Sequence, residues 1–453
     1  MKASIAEQAA ARAPWHWLVL PGLCAVLAGC AHYVPQPIDP KAEAAAFDSR
    51  TLGPGSWSLL ALQAEAEQRN PDLAIARAQR KAAEAAAITA GARPNPALST
   101  LAQKNTSAER GTRAWTYDLG LGIPMETAGK RDIRLAQAAW RARAATYAEA
   151  ETLWRVRGRV RAAYIGAFPV EQQARERSML QSRLSEETQK RLAAGMVSSG
   201  EVLQTRLAAQ QAALAVEDAH RRRIESRHKL AASIGVPERA LEGATLPFSD
   251  LSAETLPSAA VIDEAAKTAL QARPDVLASL ATYEAAQTAL QLEIAKQYPD
   301  LSIGPGYSWD AGALKWSLAL GLVLPLFDRN QGPIAEAEAK REEAAASFRA
   351  TQEQAIADIA AARAAYAQAS RQLALTQAMA DDQAKRLRSA EWAFRAGAAD
   401  RLAWLAAQVE ASAAQSTRID ALLDAHRTAG LLETALRQPL ASLSALPSSR
   451  GQP

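Results

Sequence analysis

Few residues of this 453-residue chain are equipped for chemistry. Its two cysteines, Cys24 and Cys30, could in principle pair, bind a metal or accept a covalent group. Of the histidines after Cys30 (His32, His220, His228 and His426), only His220 and His228 share a predicted helix. They stand eight residues apart, about two turns, too far for both rings to reach one ion, and a solvated helix face accounts for them. The stretch Gly122 to Lys130 superficially matches a phosphate loop, but six residues separate its glycines and Arg131 replaces the Ser or Thr. Arg221-Arg222-Arg223 reads as solvated surface. No catalytic constellation, protein-encoded metal site or cofactor site emerges. Two short turns do stand out. In the first, Gly195 suits a left-handed helix C-cap, and Ser198 with Glu201 has the spacing of a capping box. In the second, Gly397 takes the same C-cap place, Asp400 fits an N-cap and Arg401 follows it.

The N-terminus reads as a targeting segment. Lys2 and Arg12 make it positive, and the apolar run from Trp17 to Ala28 is too short to span a bilayer as a helix. It ends in Leu27-Ala28-Gly29-Cys30, which resembles the lipobox of bacterial lipoproteins. That resemblance implies removal of residues 1–29, Cys24 included, and lipidation of the Cys30 thiol. With Cys30 the sole remaining cysteine, a disulfide or a cysteine metal site is excluded. Residue 31 is Ala, which in such lipoproteins permits export to the outer membrane. Residues 30–56, with Pro35, Pro37, Pro40 and Pro54, then read as an extended leash.

Composition favours long helices: alanine is abundant, aromatics are 5% and charged residues 22%. The net charge of +4, with acids and bases interspersed, gives no electrostatic footprint for nucleic acid.

The chain is duplicated. Asn70-Pro71-Asp72 recurs as Arg273-Pro274-Asp275, Asn95-Pro96-Ala97-Leu98-Ser99 as Tyr298-Pro299-Asp300-Leu301-Ser302, Ile123-Pro124 as Leu324-Pro325, and Gly195 as Gly397, at offsets of 203, 203, 201 and 202. This divides the chain into a first repeat at 57–236, a linker at 237–262, a second repeat at 263–438 and a flexible tail at 439–453. Each repeat carries strand-like segments of period two. In 115–123 the odd positions are apolar, beginning with Trp115 and Tyr117. In 301–309 the odd positions include Tyr307 and Trp309, and in 316–324 the even positions run from Trp316 through leucines to Leu324.

Strands of about ten residues, apolar on one face with Trp and Tyr near their ends and small or polar on the other, fit a membrane barrel with a wet lumen. Four strands cannot close one, because an open edge is not tolerated in lipid and the smallest usual barrel has about eight. Two copies would supply eight strands and three would supply twelve. Helices predicted at 131–194 and 333–396, 64 residues each, would reach roughly 96 Å at about 1.5 Å per residue. Shorter helices at about 72–91 and 201–234, and at 275–297 and 400–436, stack end to end beside them. Pro169 should kink the first long helix.

These features together resemble the TolC family of outer-membrane efflux proteins over roughly 56–437. The stretches Ile123-Pro124-Met125-Glu126-Thr127-Ala128-Gly129-Lys130-Arg131 and Leu324-Pro325-Leu326-Phe327-Asp328-Arg329-Asn330-Gln331-Gly332 look most like the branch that includes CzcC-type heavy-metal channels. Related branches export organic compounds. The resemblance implies a mainly α protein with a small membrane β portion: a homotrimer with a twelve-stranded β-barrel above a periplasmic α-helical tunnel. It also implies a periplasmic adaptor and an inner-membrane transporter as partners. The two glycine turns become the periplasmic tip, which opens and meets the adaptor. The family often places an acid six residues after the turn glycine. Glu201 fits this, but Ala403 stands in the second repeat, which displaces the acidic role to Asp400. An adaptor itself would carry one hairpin and soluble β-domains, and a structural coiled coil would lack the strands.

Overall fold

The computed structural model describes residues 32–106, 114–252, 255–310 and 312–440. Cys30, the segment 1–29 and the tail from 441 lie outside these residues. The chain divides into residues 1–49 and 50–453. In the first unit a helix, α1 (Pro40–Asp48), interrupts the stretch expected to be an extended leash. Asp39 caps it by accepting from the Lys41 N–H at 2.9 Å, Pro40 presets the first turn, and an alanine run continues it.

The second unit begins with β1 (Gly55–Ser56), followed by α2 (Leu59–Arg69), α3 (Pro71–Gly91), β2 (Ala97–Lys104) and β3 (Trp115–Met125). Helices α4 (Lys130–Gly166), α5 (Val170–Ala193) and α6 (Ser199–Ile234) complete the first repeat. The linker holds β4 (Ala244–Thr245) with 3-10 turns at Glu238–Leu241 and Ser249–Leu251. The second repeat runs α7 (Ala259–Ala272), α8 (Pro274–Ala295), β5 (Leu301–Asp310), β6 (Ala313–Leu322), α9 (Gln331–Arg395) and α10 (Arg401–Leu436).

Several expectations change. The helix expected over 131–194 is two helices, because Pro169 cannot donate and its ring excludes a continuous turn; Ala167–Pro169 separate α4 from α5. Its counterpart α9 is unbroken for 65 residues, roughly 98 Å. The linker is shorter than expected, since α7 starts at Ala259. It is also tied down: β4 pairs in parallel with β1, so residues assigned to the leash belong to the body. Leu440, assigned to the flexible tail, is buried in the core. The last strand ends at Leu322, leaving Leu324 in the following loop.

The duplication is written in the backbone. Left-handed conformations recur at Gly195 and Gly397, at Gly235 and Arg437, and at Gly129 and Asn330. The residue before each repeat's proline, Asn70 or Arg273, is extended, as a following proline requires, and separates one helix from the next; Asn70 also caps the second by accepting from the Asp72 N–H at 2.9 Å, whereas Arg273 makes no side-chain cap bond. Both side chains are buried. Asn70 donates from Nδ2 to the Ser233 carbonyl at 2.7 Å, and Arg273 donates from Nη1 to the Ala435 carbonyl at 2.6 Å. The two acceptors stand 202 residues apart, so different side chains satisfy the same orphan carbonyl in each repeat.

The core lies where these helix ends meet. One apolar cluster joins Leu62, Leu73, Val156, Leu230 and Ile234, and another joins Ile262, Leu432, Leu436 and Leu440. Tyr164 and Tyr366, also 202 apart, each reach the linker: the Tyr164 hydroxyl accepts from the Phe248 N–H at 3.0 Å, and the Tyr366 hydroxyl donates to the Pro257 carbonyl at 2.7 Å. Burial pushes the Tyr164 phenol up to about 12.

Gly235 is the most constrained turn of this core. Its φ is +90°, and a Cβ there would lie 2.5 Å from the Arg69 carbonyl oxygen. Gly235→Ala should cost about 2–4 kcal/mol, combining left-handed strain with a backbone clash. Gly195, at φ +71° with open space around it, should cost only about 1 kcal/mol as Gly195→Ala. Thermal unfolding in detergent checks the order; equal losses would mean that Arg69 yields without cost.

Candidate functional site

The four long strands form one antiparallel sheet in the order β2-β3-β5-β6, so β2 and β6 are its edges. The register puts Tyr117 opposite Trp309, Leu119 opposite Tyr307, and Tyr307 opposite Trp316. The odd positions of β3 and β5 thus share a face with the even positions of β6. In β3 this apolar face is the exposed one, and Trp316 is 82% exposed. The opposite face carries Asp118, Gly120, Gly304, Gly306 and Ser317. All five aromatics found in the sequence sit on the apolar face, gathered at the hairpin rim rather than spread over both strand ends. Trp115 stacks on Tyr117 at 5.8 Å, Tyr117 meets Trp309 at 5.7 Å, and Tyr307 meets Trp316 edge-on at 5.0 Å.

At the other rim the two repeats are knotted together. Buried Lys130 donates to the Tyr298 carbonyl at 2.6 Å and to the Asp300 carboxylate at 2.7 Å. The same carboxylate accepts the Thr127 N–H at 2.9 Å, and the Thr127 hydroxyl donates to the Pro299 carbonyl. Glu126 and Arg134 form a two-pronged ion pair beside them. Sequence reasoning singled out both stretches as landmarks without seeing that they touch.

At the far end of α9 lie the two turns. Both are Schellman caps: Gly195 N–H donates to Leu192 and Met196 N–H to Arg191, while Gly397 N–H donates to Phe394 and Ala398 N–H to Ala393. Ser198 and Glu201 form the full capping box, so the Glu201 carboxylate is engaged by the Ser198 N–H at 3.2 Å. Asp400 caps α10 through the Ala403 N–H at 2.7 Å. Its other oxygen takes a hydrogen bond from Arg191 of the first hairpin at 2.9 Å. Arg401, next to Asp400 in the chain, has no ion pair among the described residues; Arg191, one turn before Gly195, links the two tips. Phe394 and Trp404 stack at 5.0 Å just behind the second turn.

The Ala403 N–H, and after it Arg191, hold the Asp400 carboxyl below the usual aspartate range. A depressed carboxyl contributes stability above its unfolded value and loses it as pH falls through the folded one. The Asp400 contacts therefore outlast ordinary aspartate titration as pH falls.

Elsewhere, His220 faces buried Glu171 at 3.4 Å, alongside Arg175 and Arg223. His426 is buried with Nε2 2.9 Å from the Ser252 carbonyl, and burial lowers its imidazole. Among the described residues no group of three or more His, Cys, Asp or Glu could hold a metal. No described helix is long and apolar enough to cross a membrane.

Asp400→Ala should remove both the cap and the link, worth about 1 kcal/mol locally for the cap alone, and speed amide exchange at Ala403 roughly fivefold. Asp400→Asn should keep the cap and lose only the link, and Arg401→Ala should change neither. Equal exchange in Asp400→Ala and wild type would mean that α10 does not depend on this cap.

The model of the outer membrane efflux protein family matches residues 62–236 and 265–436, the two repeats. The cobalt-zinc-cadmium resistance protein CzcC of Cupriavidus metallidurans is 30% identical over 289 residues, covering 61% of this chain; the match spans 65% of CzcC. Among solved structures, the outer membrane protein VceC of Vibrio cholerae shares the fold with a TM-score of 0.67 at 23% identity, over 84% of this chain and 96% of VceC. The CmeC outer membrane channel of Campylobacter jejuni does so with a TM-score of 0.63 at 16% identity, over 90% and 94%. With both repeats matched, and with an exposed apolar sheet continued by long helical hairpins, the chain belongs to the outer membrane efflux protein family.

Proposed function

We propose that three copies of this chain close a twelve-stranded barrel in the outer membrane, continued by a helical tunnel through the periplasm, as a passive export duct. The observation that carries this reading is the sheet: one apolar face lies exposed, and the outer edges of β2 and β6 are unpaired among the described residues. Twelve strands leave a lumen lined by the small, polar face. The chain acts by its geometry rather than by catalysis. A periplasmic adaptor and an inner-membrane transporter complete the system, the adaptor meeting the ring of six turns that three copies present. There the Gly195 and Gly397 turns, the Ser198–Glu201 box, and Asp400 with Arg191 and Arg401 set how the tip closes. The membrane-interface residues are Trp115, Tyr117, Tyr307, Trp309 and Trp316.

The cargo in this reading is divalent heavy-metal cations, supported by the similarity to CzcC. A duct needs no tight site for what it conducts. Cys30 carries the lipid anchor.

Mass measurement in detergent is expected to give three chains per particle; a monodisperse monomer would refute the shared barrel. Deletion of the gene should sensitise cells to zinc, cobalt or cadmium more than to dyes and detergents. The reverse pattern would assign the duct to organic compounds. Labelled palmitate should enter the wild type and not Cys30→Ser, and equal labelling would remove the anchor from this account.

A further inference from the structure

Within the chain, the first repeat joins the second through β3 and β5. Ile123 stands opposite Ile303, Pro124 opposite Ser302 and Met125 opposite Leu301. Those three steps of β3 are held by β5 alone, because the hairpin partner β2 begins at Ala97, opposite Gly122.

The second repeat carries the same strand, yet it stops early. Pro96 maps onto Pro299 at an offset of 203 and Pro124 onto Pro325 at 201, so β2 corresponds to β5 and β3 to β6. On that mapping the end of β3 at Met125 corresponds to Leu326. β6 instead ends at Leu322, opposite Leu301, the first residue of its own hairpin partner. Val323, Leu324 and Leu326 follow, all exposed. No strand pairs with them among the described residues, and the Leu326 N–H turns back onto the Leu324 carbonyl at 2.9 Å. A strand outlives its hairpin mate only where a second row of backbone groups meets it, as β5 meets β3.

Carrying the β3–β5 register through the two offsets specifies that second row. Leu324 falls opposite Thr100, Pro325 opposite Ser99 and Leu326 opposite Leu98. The residue types survive the transfer: proline again meets serine, and a large apolar residue again meets leucine. The faces agree as well. Leu98 and Thr100 lie opposite Leu121 and Leu119, hence on the apolar face, and Leu324 and Leu326 continue the apolar even-numbered series of β6. A slip of one residue would turn these leucines to the wet face. A slip of two would set Pro325 against Ala97 or Leu101.

The helices that follow lack the same neighbour. Helix α8 packs against the long helix of its own repeat, α9, and against that of the other repeat, α4. Its counterpart α3 packs against α4, and its Ile75 and Ile88 are exposed.

We infer that β6 grows through 323–326 on the β2 edge of a second copy of this chain, with Leu324 opposite Thr100, Pro325 opposite Ser99 and Leu326 opposite Leu98. Helix α3 of that copy then lies against α9, so the seam between copies repeats the seam within each. This rests on the shared barrel proposed above and adds its register, together with a segment that becomes strand only on assembly.

The test oxidises cysteine pairs in the full chain in outer-membrane vesicles, with the parent chain as the control for Cys24 and Cys30. Thr100→Cys with Leu324→Cys should give covalent dimer and trimer on a non-reducing gel. The yield should be roughly fivefold or more above that of Thr100→Cys with Leu322→Cys or with Leu326→Cys, because facing Cα atoms lie within disulfide reach and diagonal ones do not. Leu101→Cys with Val323→Cys, on the wet face, is the second pair and should cross-link likewise. A stronger ladder from either slipped pair would overturn the register and leave the shared barrel standing. Trimeric mass in detergent with no ladder from any pair would overturn the seam and leave the trimer. Monomeric mass of the parent chain would refute the barrel, and the seam with it.

Discussion

Hydrocarbon offers no water to a peptide N–H or C=O, and the outer edges of β2 and β6 each present a row of them. In the proposed assembly other copies of the same chain close those edges, and much else in the molecule fits that requirement. The sheet must have one lipid face and one wet face, so its side chains alternate strictly. It must sit at one end of the chain's helices, so each pair of strands feeds a helical hairpin. Both strand pairs must present equivalent edges and equivalent helices to their neighbours, which a duplicated chain supplies at the lowest cost in new sequence.

The duplication is kept in backbone conformation more faithfully than in side chains. Asn70 and Arg273 differ in size and charge, yet each stands at a proline-imposed break between two helices and binds a carbonyl at the same step of the repeat. A carbonyl orphaned at a helix end must be satisfied, and any donor of suitable reach suffices. The buried guanidinium requires more support than the amide: Arg273 is paired with Asp275, which is part-buried. Gly235 and Arg437 show the same economy. Both adopt the left-handed cap, but only at Gly235 does the neighbouring backbone leave no room for a Cβ.

Where the repeats depart from one another, their surroundings differ. Pro169 breaks the first long helix and Glu171 then gathers Arg175, His220 and Arg223 around the break, while the second repeat keeps its helix whole. At the tips the first turn uses a reciprocal capping box and the second a single aspartate, which frees an Asp400 oxygen for Arg191. The ends of the two hairpins are therefore joined by one exposed ion pair. Such pairs are individually weak.

Much of this was legible from residue order alone. Period-two alternation marked the strands, because a pleat sends successive side chains to opposite faces whatever lies around it. Pro71, Pro274, Gly195 and Gly397 marked breaks and turns, because their backbone limits are local. Ser198–Glu201 and Asp400 were readable as caps for the same reason. Contacts between segments distant in the chain were not. Lys130 with Asp300 spans 170 residues and Arg191 with Asp400 spans 209, and no local propensity encodes either. The gathering of all five strand aromatics at one rim likewise depends on the antiparallel register, which turns one strand's start into its neighbour's end. Local conformation was thus determined by the sequence itself; which charges meet, and which end of the sheet each aromatic occupies, was decided only when the two repeats packed together.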